Sequence, residues 1–202
     1  MKLVLASRNR HKIDEIKRVL NECGVVNVDI LSLDDIGYYG EIEENGVTFE
    51  ENAVIKARVA ADMGYMSIAD DSGLEVDALD GRPGVYSARY AGEPCNDENN
   101  NDKLLKELEN VPDDERTARF VSVIAFIDPE NEANSFTVRG ECPGVMIRER
   151  RGNGGFGYDP LFYLPKLDKT YAEITTDEKN AVSHRGQSMR AFAKRFSELY
   201  GK

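Results

Sequence analysis

The strongest constraint on this chain's fold is an alternation. Short runs of aliphatic or β-branched residues are followed by stretches whose apolar residues recur at helical spacing. Residues 2–6 read as a short buried strand of plain aliphatics. After it, Ile13, Ile16, Leu20 and Cys23 fall at i, i+3, i+7 and i+10, one face of a helix, and Gly24 is a natural C-terminal stop. Residues 26–33 read as a second strand. Residues 48–63 read as a second helix, with Thr48 as N-cap and Glu51 three residues on, a capping box. MSIADDSGL starts as a strand, and residues 98–109 form a shorter helix around Leu104, Leu105 and Leu108. Residues 117–128, 134–141 and 143–149 read as strands, with Pro129, Glu130 and Asn131 turning between the first two. The last helix starts near Ser188 and puts Met189, Phe192, Phe196 and Leu199 on one face. This mix predicts an α/β fold, a largely mixed sheet flanked by helices. A length of 202 residues fits a single domain over 1–202.

Charge narrows the partners. Lys and Arg number 26 against 37 Asp and Glu, a net charge of −11. Tracking a nucleic-acid polymer rewards a basic surface, so that class is excluded. A small anionic ligand is not, because a local field around a bound cation can oppose the net charge. Cys23, Cys95 and Cys142 are scattered and odd in number, which argues against a disulfide framework or a zinc site and for a reducing, cytoplasmic setting. No apolar run approaches a membrane span.

Five segments carry candidate chemistry. Ser7, Arg8, Asn9, Arg10, His11 and Lys12 crowd donors and positive charge where a strand passes into a helix. Exposed helix amides there can bind an anion, with Ser7, Asn9 and Lys12 adding contacts, although the Walker pattern is missing. A capped helix with a solvated basic turn explains the same residues. Asp70 and Asp71 are adjacent carboxylates at the C-terminal end of a strand, where open α/β sheets place ligands. Alternation sends them to opposite faces, one toward a ligand and the other toward neighbouring backbone. Magnesium is the natural compensator for such oxygens, while a turn through Asp70, Asp71 and Ser72 is the plain alternative.

The acidic loop holds Glu41, Glu43 and Glu44, with Glu50 and Glu51 beyond it. Most face solvent, and Glu43 or Glu44 could swing toward the metal. In GNGGFGYDP, glycines allow close backbone approach around Phe156 and Tyr158, where a ring can stack on a base, and Asp159 can accept from a base edge. A glycine-rich hairpin with its aromatics in the core is the alternative. Lastly, Lys179, His184 and Arg185 lie just before the final helix and can donate to a base carbonyl or a phosphate, against a purely structural histidine.

Taken together, LASRNRHK, FEENAVIKA, IADDSGLEVDALDGRPGVYSARYAGE, RTARF, GGFGYDPLF and EKNAVSHRGQ resemble, in order and over nearly the whole chain, the inosine triphosphate pyrophosphatases, also called non-canonical purine NTP pyrophosphatases or XTP/dITP diphosphatases. The resemblance implies an elongated mixed-sheet fold of two lobes with a central nucleotide-binding cleft, usually a homodimer. It implies a phosphate turn from Ser7 through Lys12, with Ser-Arg-Asn where many members have Thr-Gly-Asn and with His11 where glycine is common. Lys56 then contacts the triphosphate, Asp71 is the general base and a metal ligand, Glu43 is a second ligand, and Ser72 touches substrate. The segment Phe156, Gly157, Tyr158 and Asp159 binds the base together with Lys179, His184 and Arg185. The implied reaction is Mg²⁺-dependent hydrolysis of ITP, dITP or XTP to the monophosphate and pyrophosphate. A Maf-like pyrophosphatase with another base preference is the nearest enzymatic alternative, and a non-hydrolysing nucleotide sensor is the binding-module alternative.

Overall fold

The computed structural model describes residues 1–8, 10–25 and 28–201, and for residues 10–12, 14 and 15 the backbone only. Strand β1 (Lys2–Leu5) runs into helix α1 (Arg10–Glu22) and then strand β2 (Asp29–Ser32). Helix α2 (Phe49–Ala61) begins at the capping box: Thr48 accepts from the Glu51 amide, and the Glu51 carboxylate accepts from the Thr48 amide. Strand β3 (Ser67–Val76), helix α3 (Asp97–Glu107), strand β4 (Thr117–Ile127) and strand β5 (Phe136–Met146) follow. Two short strands, β6 (Phe162–Leu164) and β7 (Lys169–Thr170), precede helices α4 (Thr176–Val182) and α5 (His184–Tyr200).

Among the described residues the strands form one sheet in the order β2-β1-β3-β4-β5-β6-β7. β1 is parallel to both β2 and β3, whereas β6 is antiparallel to β5 and β7, so the sheet is mixed as the alternation predicts. The residues pack into two compact units. The first comprises 1–71, 122–140 and 185–202, and the second 72–121 and 141–184.

The core of the first unit gathers Leu3 and Leu5 of β1, Ile16, Val19 and Leu20 of α1, Ile124 and Phe126 of β4, and Met189, Phe192 and Phe196 of α5. The expected apolar face of α5 holds for three of its four residues. Leu199 is 41% exposed, and Tyr200, one position on, packs against the core instead. At four residues past Phe196, Tyr200 stays on the buried stripe, and its hydroxyl reaches Asp128 Oδ2 at 2.5 Å. The core of the second unit gathers Leu74 and Val76 of β3, Leu104 and Leu108 of α3, Phe120 of β4, and Tyr158, Leu161, Phe162 and Tyr171. Arg116 is 2% exposed beside it, its guanidinium donating to the carbonyls of Met146, Leu108 and Val111.

Several elements differ from the sequence reading. The two strands expected over 134–141 and 143–149 are one strand, β5, which spans Phe136–Met146. Pro143 is exposed and lies outside the stretch registered with β6 (Val145 with Tyr163, Met146 with Phe162), a place where a strand tolerates proline. Helix α5 starts at His184, earlier than Ser188. Helix α4 was not anticipated, although Thr175 and Glu178 form a second reciprocal capping box that the sequence displays.

Candidate active site

In the first unit the site grows from strand alternation at the middle of β3, not at a strand's C-terminal end as the sequence reading has it, because β3 continues to Val76. Asp70 and Asp71 are both buried and point to opposite faces. Asp71 Oδ1 accepts from Lys56 Nζ at 2.6 Å, and the same ammonium donates to Glu44 Oε2 at 2.9 Å. Lys56 is presented by α2, whose start is set by the Thr48 cap. Burial pushes the Asp71 carboxyl above the usual range, Glu44 and Asp70 add to this, and Lys56 pulls against it. Burial also opposes the charge on Lys56, but Asp71 and Glu44 more than offset it and hold the ammonium above its ordinary value.

Asp70 does not turn to backbone alone. Ser122 Oγ donates to its Oδ1 at 2.7 Å, and Arg185 Nη2 lies 3.5 Å from its Oδ2. Ser122 and Ser188 hydroxyls are 2.8 Å apart, and Ser188 Oγ donates to the Arg185 carbonyl at 3.1 Å. Strand β4 and the first turn of α5 thus fix the direction of the Arg185 side chain, which is 5% exposed. The serines are separated from Asp70 by 52 and 118 positions, and no short motif links them.

The opening turn is only partly described. Asn9 and the side chains of Arg10, His11 and Lys12 lie outside the described residues. Arg8 turns to the acidic loop: its Nη2 donates to the carbonyls of Tyr38 (3.1 Å) and Gly40 (2.7 Å), and its Nε lies 3.5 Å from Asp34 Oδ1. The loop leaves Glu43 exposed and Glu44 half-buried against Lys56. Ser7 and Ser72 are both half-buried.

In the second unit the glycine-rich segment divides its two aromatic rings. Tyr158 is buried and donates through its hydroxyl to the Ser87 carbonyl at 2.8 Å, whereas Phe156 is 63% exposed. The core alternative drawn from the sequence therefore describes Tyr158 and not Phe156. Asp159 Oδ2 accepts from the Phe156 amide at 3.0 Å and from the Lys179 ammonium. Lys179 Nζ also sits 4.8 Å from the centre of the Phe156 ring. Gly155 has φ +76°, and a Cβ there would fall 2.0 Å from Asp159 Oδ2, so only glycine fits. His184 is buried and stacks on Phe120, ring centres 5.0 Å apart and planes 13° from parallel, while Phe120 stacks on Tyr171 at 5.4 Å.

The donor set suits a hard divalent cation. Asp71 Oδ2 and Glu44 Oε1 make no hydrogen bond among the described residues, so each carboxylate keeps an oxygen to offer. No group of three or more His, Cys, Asp or Glu side chains among the described residues could hold an ion by itself. Two carboxylate oxygens are the kind of donor Mg²⁺ takes, since it binds one or two carboxylates and completes its shell with water and substrate oxygens. Among the described residues, no helix is long and apolar enough to cross a membrane.

The chain is similar to known proteins over nearly its whole length. Residues 3–195 match the Ham1 family. The chain is 49% identical over 201 residues to a protein of Desulforamulus reducens named dITP/XTP pyrophosphatase, covering 99% of this chain and 98% of that one. It is 52% identical over 189 residues to a protein of the same name from Geobacter sulfurreducens, covering 93% and 92%. Among solved structures, the HAM1 protein of Coxiella burnetii superposes with a TM-score of 0.91 at 41% identity, covering 98% of this chain and 99% of that one. The Ham1 protein of Staphylococcus aureus gives 0.90 at 40% identity, covering 98% and 100%.

Proposed function

The chain belongs to the Ham1 family, and from that premise we propose that it hydrolyses the α–β phosphoanhydride of non-canonical purine nucleoside triphosphates such as dITP, XTP and ITP, releasing the monophosphate and pyrophosphate. The names of its relatives support the reaction and the substrate class. The observation that carries the reading to this chain's own residues is the Lys56 ammonium held between buried Asp71 and half-buried Glu44. A fold needs no cation clasped between two carboxylates, and replacing such buried pairs by apolar residues is often neutral. Phosphoryl transfer, by contrast, depends on positioned charge.

Asp71 and Glu44 would hold Mg²⁺, with Glu43 next to them as the alternative ligand. When bound, the ion neutralises charge on phosphate oxygens and acidifies bound water. Asp71 is the general base, oriented by the Lys56 ammonium to accept from the attacking water. Lys56 orients Asp71 through one N–H and Glu44 through a second. An ammonium carries three, so the third is left for a phosphate oxygen. The triphosphate falls to Ser7, Asn9, Lys12 and Ser72, while Arg8 shapes the acidic loop that delivers Glu44.

The base falls to Phe156 as stacking platform, and to Lys179, His184 and Arg185 as donors to an oxygen at C6. Adenine presents an amino group there and would leave those donors unpaired, a penalty that discriminates strongly. The three cysteines are free, and the exposed thiol of Cys95 suits a reducing, cytoplasmic compartment. A homodimer is the assembly that the family resemblance implies. The direct test is pyrophosphate release from dITP, XTP, ITP, ATP, GTP, dTTP and UTP, with Mg²⁺ and after chelation. Hydrolysis confined to the first three and dependent on the ion supports the proposal. Equal turnover of ATP, or a preference for the pyrimidines, overturns it.

A further inference from the structure

Gly157, the residue after the exposed Phe156 ring, is gripped on both backbone groups by one helix. Asp97 Oδ2 accepts from its amide at 2.7 Å, and Asn101 Nδ2 donates to its carbonyl at 2.9 Å. Asp97 and Asn101 are four apart on α3 and so share a face. Gly157 has φ +59°, a left-handed backbone at a residue with exceptional freedom. Fixing such a backbone costs about 1–2 kcal/mol per residue, and something must hold it.

The Asn101 side chain gives little else to the fold. Asn101 is 1% exposed, and its Oδ1 is buried with no hydrogen-bond partner among the described residues. An unsatisfied buried acceptor costs about 1–3 kcal/mol, which a leucine of similar size at that position would avoid. The amide is therefore kept at a net cost to packing, and the bond it makes is to Gly157. Asp97 is at the surface, where its carboxylate would otherwise be solvated.

We infer that Asp97 and Asn101 are positioning residues which lock the Phe156 ring in the orientation that stacks on the purine. This rests on the base-binding role proposed above for Phe156. A platform ordered before binding spares the substrate the cost of ordering it, so the effect belongs in KM rather than kcat.

The test uses the full chain with dITP and Mg²⁺, and compares Asp97→Ala, Asp97→Asn, Asn101→Ala and the double alanine variant. Each variant is also assayed for inhibition by inorganic tripolyphosphate, which has phosphates but no base. Each single alanine change is expected to raise KM for dITP about fivefold, and both together about thirtyfold, the equivalents of about one and two kcal/mol. kcat and the inhibition constant for tripolyphosphate should stay within about twofold of wild type. Asp97→Asn keeps an acceptor oxygen and should restore most of the wild-type KM.

A KM that stays at the wild-type value overturns the inference. So does a parallel rise in KM and in the tripolyphosphate constant, because damage to the whole site moves both. If Asn101→Ala does not fold, the surface pair Asp97→Ala and Asp97→Asn decides the matter. A wild-type protein inert toward dITP refutes the proposed function and this inference with it, whereas an active wild type with unaltered variants refutes the positioning role alone.

Discussion

Replacing Asp71 by asparagine separates chemistry from stability. The amide is isosteric and can still accept from Lys56 Nζ, now 2.6 Å from Oδ1, while Glu44 stays paired to the same ammonium. The contact changes from an ion pair to an ammonium–amide hydrogen bond, a loss of about 1 kcal/mol. Against this, a carboxylate that Glu44 and Asp70 repel is removed. The net change in stability should lie within about 1 kcal/mol, a shift of about 2–4 °C in Tm for a chain of this size. Activity should respond on another scale. A positioned base contributes about 10²–10⁴-fold, which is about 3–5 kcal/mol of barrier. Pyrophosphate release from dITP, read beside a thermal melt, compares the two. Turnover falling at least about a hundredfold while Tm moves by no more than about 4 °C is the expected pair of results. Turnover above about a tenth of wild type removes Asp71 as the base, and a large fall in Tm makes its role structural.

Three further outcomes follow from the geometry. Phe156→Ala should raise KM for dITP roughly 5- to 100-fold, the equivalent of about 1–3 kcal/mol of stacking, and leave the melt unchanged because the ring is 63% exposed; a shifted melt with wild-type KM contradicts the platform role. Arg116→Met should destabilise the fold by about 1–3 kcal/mol, seen in denaturant unfolding, since the buried guanidinium bonds to the carbonyls of Met146, Leu108 and Val111 are lost, while Leu108 still accepts from the Val111 amide and Val111 from Arg148. At Asp128, burial raises the carboxyl's pKa, but the Tyr200 hydroxyl and the Glu130 and Asn131 amides more than offset it and hold it below its ordinary value. A depressed folded pKa gives stability that is present above the unfolded value of 3.8 and lost as pH falls through the folded one. Asp128→Ala should therefore flatten the acid limb of a stability-versus-pH curve, and an unaltered limb counts against the network.

Local signals read correctly where the determining contacts are close in sequence. The α1 stripe, the reciprocal Thr48–Glu51 cap and the turn through Pro129, Glu130 and Asn131 each close within a few residues, and short-range sterics and hydrogen bonding settle them. The Thr175–Glu178 cap was equally local, so α4 was legible and was missed. The merging of 134–141 with 143–149 was not legible, because whether a proline ends a strand depends on which neighbouring strand lies beside it. Likewise the choice between Leu199 and Tyr200 on α5 turns on a hydrogen bond to Asp128, 72 positions away.

The amino-acid order by itself determined the alternating α/β plan and the opposed directions of Asp70 and Asp71, because a strand's period of two is a local property of the backbone. It also marked the segments around Phe156 and His184 as chemically loaded, while Lys56 was singled out only by the family resemblance. Tertiary packing alone decided that Glu44 rather than Glu43 meets Lys56, that Tyr158 enters the core while Phe156 stays out, and that Ser122 and Ser188 brace Asp70 and Arg185. Those outcomes depend on distances between residues far apart in the chain. Burial then turns small differences in position into large differences in hydrogen bonding and charge, which no local pattern encodes.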